Sequence, residues 1–214
     1  MNANRSANWL GRNRSALLLS CAIGTLATLT LQAERAAAQA FQGTPTVAGG
    51  AATRIITGPT TETIQVESPS AILNWVPNAP AGSGTINFLP ADNAATFRNG
   101  PNSEDFMVLN RIIPNEPSQQ VALNGRIISQ IQDFGGTANI GGTVAFYSPA
   151  GSIVGPTAVF NIGSLLLTTI DPITGSAGSF STDGLYDLRG PVNPASSVVI
   201  QPGAQINASS NISS

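Results

Sequence analysis

Between Gly142 and Leu167 the chain sets short apolar strands between Gly, Pro, Asn and Ser corners. Thr143-Val144-Ala145-Phe146-Tyr147 runs into Ser148-Pro149-Ala150-Gly151, and Ser152-Ile153-Val154 into Gly155-Pro156. Ala158-Val159-Phe160-Asn161-Ile162 and Leu165-Leu166-Leu167 follow. A corner every few residues, with few hairpin dipeptides between alternating strands, suits a chain that winds rather than one that doubles back. Winding produces an extended surface rather than a catalytic pocket.

The same pattern extends upstream. Glu62 to Glu67 alternates polar and apolar residues with Ile64 and Val66 on one face. Strands are predicted again at Ala71 to Val76, Thr85 to Leu89, Phe106 to Ile113, Gln120 to Leu123, Arg126 to Ile131, Thr143 to Tyr147, Ala158 to Ile162 and Leu165 to Ile170. Turn residues separate them at Pro77-Asn78-Ala79-Pro80, Asn99-Gly100-Pro101-Asn102, Pro114-Asn115-Glu116-Pro117, Gly135-Gly136, Gly141-Gly142, Asp171-Pro172 and Asp183-Gly184. No amphipathic helical period is present. The expectation is an all-β chain.

The first forty residues read as a secretory leader. Arg5, Arg12 and Arg14 precede an apolar run from Ala16 to Leu31, and Ala36-Ala37-Ala38-Gln39-Ala40 gives an A-x-A-type cleavage site before Phe41, so residues 1–40 are expected to be removed. An uncleaved membrane anchor would need a less diluted apolar run. A lipoprotein signal at Cys21 would need that run to end there, and it continues to Leu31. Residues 41–214 then form one domain.

Absent residue types limit the chemistry. The chain has no His, all 9 of its cations are Arg, and its single Cys lies in the leader. Ser-His-Asp and Cys-His nucleophiles, His- or Cys-ligated zinc, thiol redox and Lys Schiff bases are excluded. Beyond the leader, Arg54, Arg98, Arg111, Arg126 and Arg189 face all but one of the 11 acids. Scattered arginines on a net acidic chain do not bind nucleic acid. A disulfide-free exported chain points to a bacterial envelope protein.

Charged residues make up 9% of the chain, against about 25% in ordinary domains. Stacked strands explain the deficit, because like charges would repeat at about 4.8 Å along each ladder. A sandwich, a barrel and a winding solenoid all accommodate short strands at near-regular spacing. A solenoid of about 20 to 25 residues per coil would make roughly 6 to 8 coils of this chain.

From Ala71 to Thr169 the chain resembles the N-terminal secretion domain of the filamentous-haemagglutinin family, the exported partner in bacterial two-partner secretion. The resemblance rests on Asn74-Trp75, Phe88 with Pro90, Leu109-Asn110-Arg111-Ile112, Pro117-Ser118, Asn124-Gly125 and the segment from Gly142 to Leu167, in that order. Ser148-Pro149-Ala150-Gly151 stands where the family carries an Asn-Pro-Asn-Gly corner, and Arg126 to Gly141 is longer than the family's link. The resemblance implies a right-handed parallel β-helix with an N-terminal cap. It implies export through the periplasm in a Gram-negative bacterium and recognition by a cognate outer-membrane β-barrel transporter. The final location would be the cell surface or the medium, where a host or neighbouring cell surface would be met. It also implies a non-enzymatic adhesin-type role without cofactor or metal, and a secretion motif at Asn110, Arg111, Pro117 and Ser118. In that motif Asn110 would satisfy a coil corner and Arg111 would present its charge to the transporter. The alternative within this segment is that Asn110 is a ladder residue and Arg111 pairs with Glu104, Asp105 or Glu116.

Other residues suggest a carbohydrate-binding or polysaccharide-acting secreted β protein instead. Glu104-Asp105, Asp171, Asp183 and Asp187 would supply an acid pair or calcium ligands, and Trp75 a sugar platform, against readings as solvated caps and a core aromatic. Asn207-Ala208-Ser209 and Asn211-Ile212-Ser213 match the glycosylation sequon, which carries little weight in a bacterial protein. Val198 to Ala208 reads as strand, corner and strand, and the chain stops in Ser and Asn without a polar capping element, so it is expected to be the front piece of a longer exoprotein or a truncated relic of one.

Overall fold

The computed structural model describes residues 39–78, 82, 84–101, 105–172, 188 and 190–209. The expected leader lies outside these residues except for Gln39 and Ala40. Sixteen strands and no helix occur among the described residues: β1 (Gly43–Gly49), β2 (Ala52–Gly58), β3 (Thr61–Val66), β4 (Ser70–Pro77), β5 (Ile86–Leu89), β6 (Ala94–Asn99), β7 (Met107–Ile112), β8 (Val121–Leu123), β9 (Arg126–Gln132), β10 (Ala138–Ile140), β11 (Thr143–Tyr147), β12 (Gly151–Val154), β13 (Val159–Ile162), β14 (Ser164–Thr168), β15 (Ser197–Ile200) and β16 (Gln205–Ala208).

Three sheets hold them. The first has the order β1-β4-β7-β11-β14, the second β16-β13-β9-β6-β3-β2, and the third β15-β12-β8-β5. From β3 onward the chain visits the second, first and third sheets in turn and repeats that cycle until β16, with β10 as the one detour. Each strand lies parallel beside its counterpart of the previous cycle, as β3 beside β6, β4 beside β7 and β5 beside β8. The protein is therefore all-β, in sheets that are parallel but for three antiparallel pairs.

Those exceptions have local causes. β1 runs antiparallel to β4, and β2 antiparallel to β3, at the edges of the first and second sheets. Pro45 sits within β1 because an edge strand leaves one side of its backbone unpaired. The third exception is β10, which folds back on β9 through Asp133 to Thr137. Asp133 N–H donates to the Thr137 carbonyl at 3.0 Å, and Gly136 adopts a φ of 86° that the turn requires. The unusually long Arg126 to Gly141 segment is this hairpin.

The spacing differs from expectation. Side chains that meet on successive cycles lie 33 residues apart at Gln65 and Arg98, 35 at Trp75 and Asn110, and 46 at Asn161 and Asn207. The strands are as short as the sequence indicates. The excess lies in corners such as those between β4 and β5 and between β7 and β8, so the number of cycles is correspondingly smaller.

Alternation explains the packing. In β3 the side chains of Glu62, Ile64 and Val66 are buried while Thr61, Thr63 and Gln65 are half-exposed. Leu73, Trp75 and Phe146 from the first sheet, Ile64, Phe97 and Phe160 from the second, and Leu89, Val121 and Val154 from the third join one core cluster. Phe41 is its centre at the N-terminal end, stacked on Phe88 at 5.1 Å and edge-on to Trp75 at 5.1 Å. On the opposite face of the first sheet, Met107, Leu109 and Ala145 form a second buried cluster with Ile72, Tyr147 and Leu166. Neutral amides stack where charges would repel: Asn124 donates to Asn87 at 2.9 Å, and Asn207 to Asn161 at 2.8 Å.

Candidate functional site

β7 carries the two central residues of the expected secretion motif and sends them to opposite faces. Val108, Asn110 and Ile112 point into the core; Met107, Leu109 and Arg111 point away from it. Asn110 lies mid-strand rather than at a corner and is fully buried. Trp75 Nε1–H donates to its Oδ1 at 3.0 Å, and its Nδ2 donates to the Ala145 carbonyl at 3.2 Å. Because β4 and β11 flank β7, this one amide ties three strands together.

Arg111 occupies a row with Asn74 on β4 and Tyr147 on β11. Its Nη1 donates to Asn74 Oδ1 at 2.8 Å, its Nε donates to Asp171 Oδ1 at 3.1 Å, and its Nη2 donates to Asp171 Oδ2. Its guanidinium carbon lies 5.8 Å from the Tyr147 ring centroid. With side-chain exposures of 13% and 9%, Arg111 and Asp171 are a shielded, two-pronged ion pair. Burial, then the Asp171 charge, push the Tyr147 phenol above its ordinary value, with Arg111 opposing them.

This arrangement differs from both sequence readings of Arg111. Among the described residues its charge is held by a carboxylate 60 residues further on, a partner that neither reading named. Thr168, which continues the same row after Tyr147, bends the chain back at the end of β14. Its hydroxyl donates to the Ile170 carbonyl and accepts from the Ile170 N–H, which delivers Asp171 to the guanidinium. Proximity in sequence is a poor guide where parallel neighbours are a whole cycle apart.

Pro117 and Ser118 lie in an exposed turn after β7, closed by the Gln119 N–H donating to the Glu116 carbonyl at 3.0 Å. Pro117 takes the second turn position, where its fixed φ fits. The four motif residues thus divide into a shielded pair and an exposed pair.

The remaining candidates do not assemble among the described residues. Asp105 accepts from the Phe106 N–H at 2.7 Å, Asp171 is paired with Arg111, and Glu104, Asp183 and Asp187 lie outside those residues. No group of three or more His, Cys, Asp and Glu able to hold a metal occurs among them. Trp75 is fully buried and is a core residue. Asn207 is exposed and bonded to Asn161, and Asn211 lies outside the described residues.

One buried cluster escaped the sequence reading. Glu62 is 1% exposed; its Oε2 accepts from Arg54 Nη2 at 2.6 Å and from Arg54 Nε at 3.2 Å. Arg54 also donates to the carbonyls of Gly43 and Phe41 and lies 5.1 Å from the Trp75 ring centroid. Burial pushes the Glu62 carboxyl up from its ordinary 4.5, while Arg54 and the N–H groups of Phe41 and Ala40 pull it down. The available signal was parity, since Glu62 shares the face of Ile64 and Val66.

A cleft of about 640 Å³ lies beside the β9–β10 hairpin, with Gln65, Arg98, Asn99 and Gln132 on its walls and Phe134, 89% exposed, at its lip. Neither the family models nor the curated protein sequences contain a match to this chain.

Proposed function

We propose that this chain is the secretion domain of a two-partner-secretion exoprotein of the filamentous-haemagglutinin type, wound as a right-handed parallel β-helix with an N-terminal cap. The single observation carrying this reading is the cyclic visiting order of three parallel sheets, opened by two antiparallel edge strands. A right-handed turn is the hand that strand-to-parallel-strand crossovers adopt in nearly all cases. Such a chain folds cycle by cycle, each strand offering its free edge to the next, and this suits folding as the chain emerges from an outer-membrane β-barrel transporter. The product is a surface or released adhesin-type protein that works by display, with no catalytic step and no cofactor.

In this reading Asn110 and Arg111 serve secretion indirectly, by completing the first sheet, while the exposed turn at Pro117 and Ser118 is the transporter contact. Expression in a Gram-negative host with and without the cognate transporter tests it. Release into the medium only when the transporter is present supports the reading, and equal release in both strains overturns it. Replacing Pro117 and Ser118 together by Gly and Ala is expected to lower release at unchanged thermal stability.

A further inference from the structure

We infer that the leader is cut after Ala38, so that the mature chain begins at Gln39 and its first two residues are structural. The inference rests on the secretion reading, because it requires the leader to be a processed signal. Two overlapping frames satisfy the A-x-A rule: Ala36-Ala37-Ala38 before Gln39, and Ala38-Gln39-Ala40 before Phe41. The leader sequence alone does not choose between them. The fold does.

Gln39 and Ala40 belong to the core end that Phe41 fills. Ala40 is fully buried and Gln39 is 9% exposed. The buried amide of Asn93 donates to both of their carbonyls, at 3.1 Å to Gln39 and 2.8 Å to Ala40. The Gln42 side chain donates to the Gln39 carbonyl at 2.9 Å, and the Ala40 N–H donates to Glu62 Oε2 at 2.9 Å. A cut after Ala40 deletes all four bonds, leaves the Asn93 amide buried without these acceptors and empties the space of the Ala40 methyl.

Charge points the same way. A cut after Ala40 places a new ammonium on Phe41, whose nitrogen is 3.4 Å from Glu62 Oε2 inside the core. Glu62 has its counter-ion in Arg54, so this ammonium is a second cation for one buried carboxylate. A cut after Ala38 keeps that position an amide N–H and moves the ammonium two residues back along the chain, to Gln39. Among the described residues Glu62 Oε1 has no hydrogen-bond partner, and the Ala40 and Phe41 N–H groups are the backbone donors that hold the other oxygen.

The test is the N-terminus of the full-length precursor after export, read by peptide mass spectrometry. A mature chain starting at Gln39 is expected, and one starting at Phe41 overturns the inference while leaving the secretion reading intact. An exported fraction still carrying Met1 overturns both. A second arm releases chains 39–214 and 41–214 with authentic N-termini from cleavable fusions. The longer chain is expected to melt several degrees higher, and Asn93→Ala to shrink that gap. Equal melting temperatures overturn the structural role of the two residues.

Discussion

Asn110 and Arg111 are neighbours in sequence that leave one strand in opposite directions, so a change at each reports on a different interior. Arg111→Ala takes the two-pronged guanidinium away from the shielded Asp171 carboxylate, at a cost of up to about 3–5 kcal/mol. Arg111→Met combined with Asp171→Leu removes both charges and is expected to cost far less in urea unfolding; a double variant as damaged as the single one would contradict the pairing. At Glu62 the sign runs the other way from an ordinary surface carboxylate. Its folded value lies above 4.5, so the stability it contributes is full below that value and falls as pH rises through the folded value. The melting temperature of the native chain minus that of Glu62→Gln is therefore expected to decrease from acid toward neutral pH. An increase would mean that the Arg54 contact outweighs burial. Of these partnerships only the parity of Glu62 was legible beforehand. Asp171 was not, because nothing near Arg111 in sequence marks a partner 60 residues away.

At the scale of elements, strands with strict alternation or β-branched runs were legible: β3, β4, β11 and β13 fall within about two residues of expectation. β6 was missed because Ala94-Ala95-Thr96-Phe97-Arg98-Asn99 carries one large apolar residue, Phe97, and gains its strand identity from β3 and β9 on either side. β1 and β2 were missed for a similar reason, being edge strands with Pro45 and Arg54 in them. Corners are set by backbone conformation as much as by composition. Gly151 opens β12 at a φ of 100°, and an added Cβ there would meet the Ser197 carbonyl oxygen of β15. Gly151→Ala is thus expected to destabilise by more than about 1 kcal/mol. It would act at the β12–β15 pairing, and hydrogen exchange at Val198 to Ile200 would show it first.

For the whole molecule, the sheet class was readable and the cyclic order of the sheets was not uniquely so, because parallel partners a full cycle apart leave no local mark. Contacts run chiefly between consecutive cycles, so damage is expected to stay near its source. Phe41→Ala empties the aromatic cluster it shares with Trp75, Phe88, Phe97 and Phe146, at about 3–5 kcal/mol. Hydrogen exchange is then expected to accelerate in β1 to β6 while β13 and β16 keep their protection. Uniform acceleration along the chain would show a single cooperative block instead.

The stretch between β14 and β15 shows how much freedom this construction leaves. Asn161 and Asn207 meet in register across 46 residues, where Gln65 and Arg98 meet across 33, and the pairing of β13 with β16 is as continuous as that of β3 with β6. Chain added between β14 and β15 leaves the pairing of the flanking strands in register, so an epitope tag or guest domain spliced between these two strands is expected to leave the ladders intact.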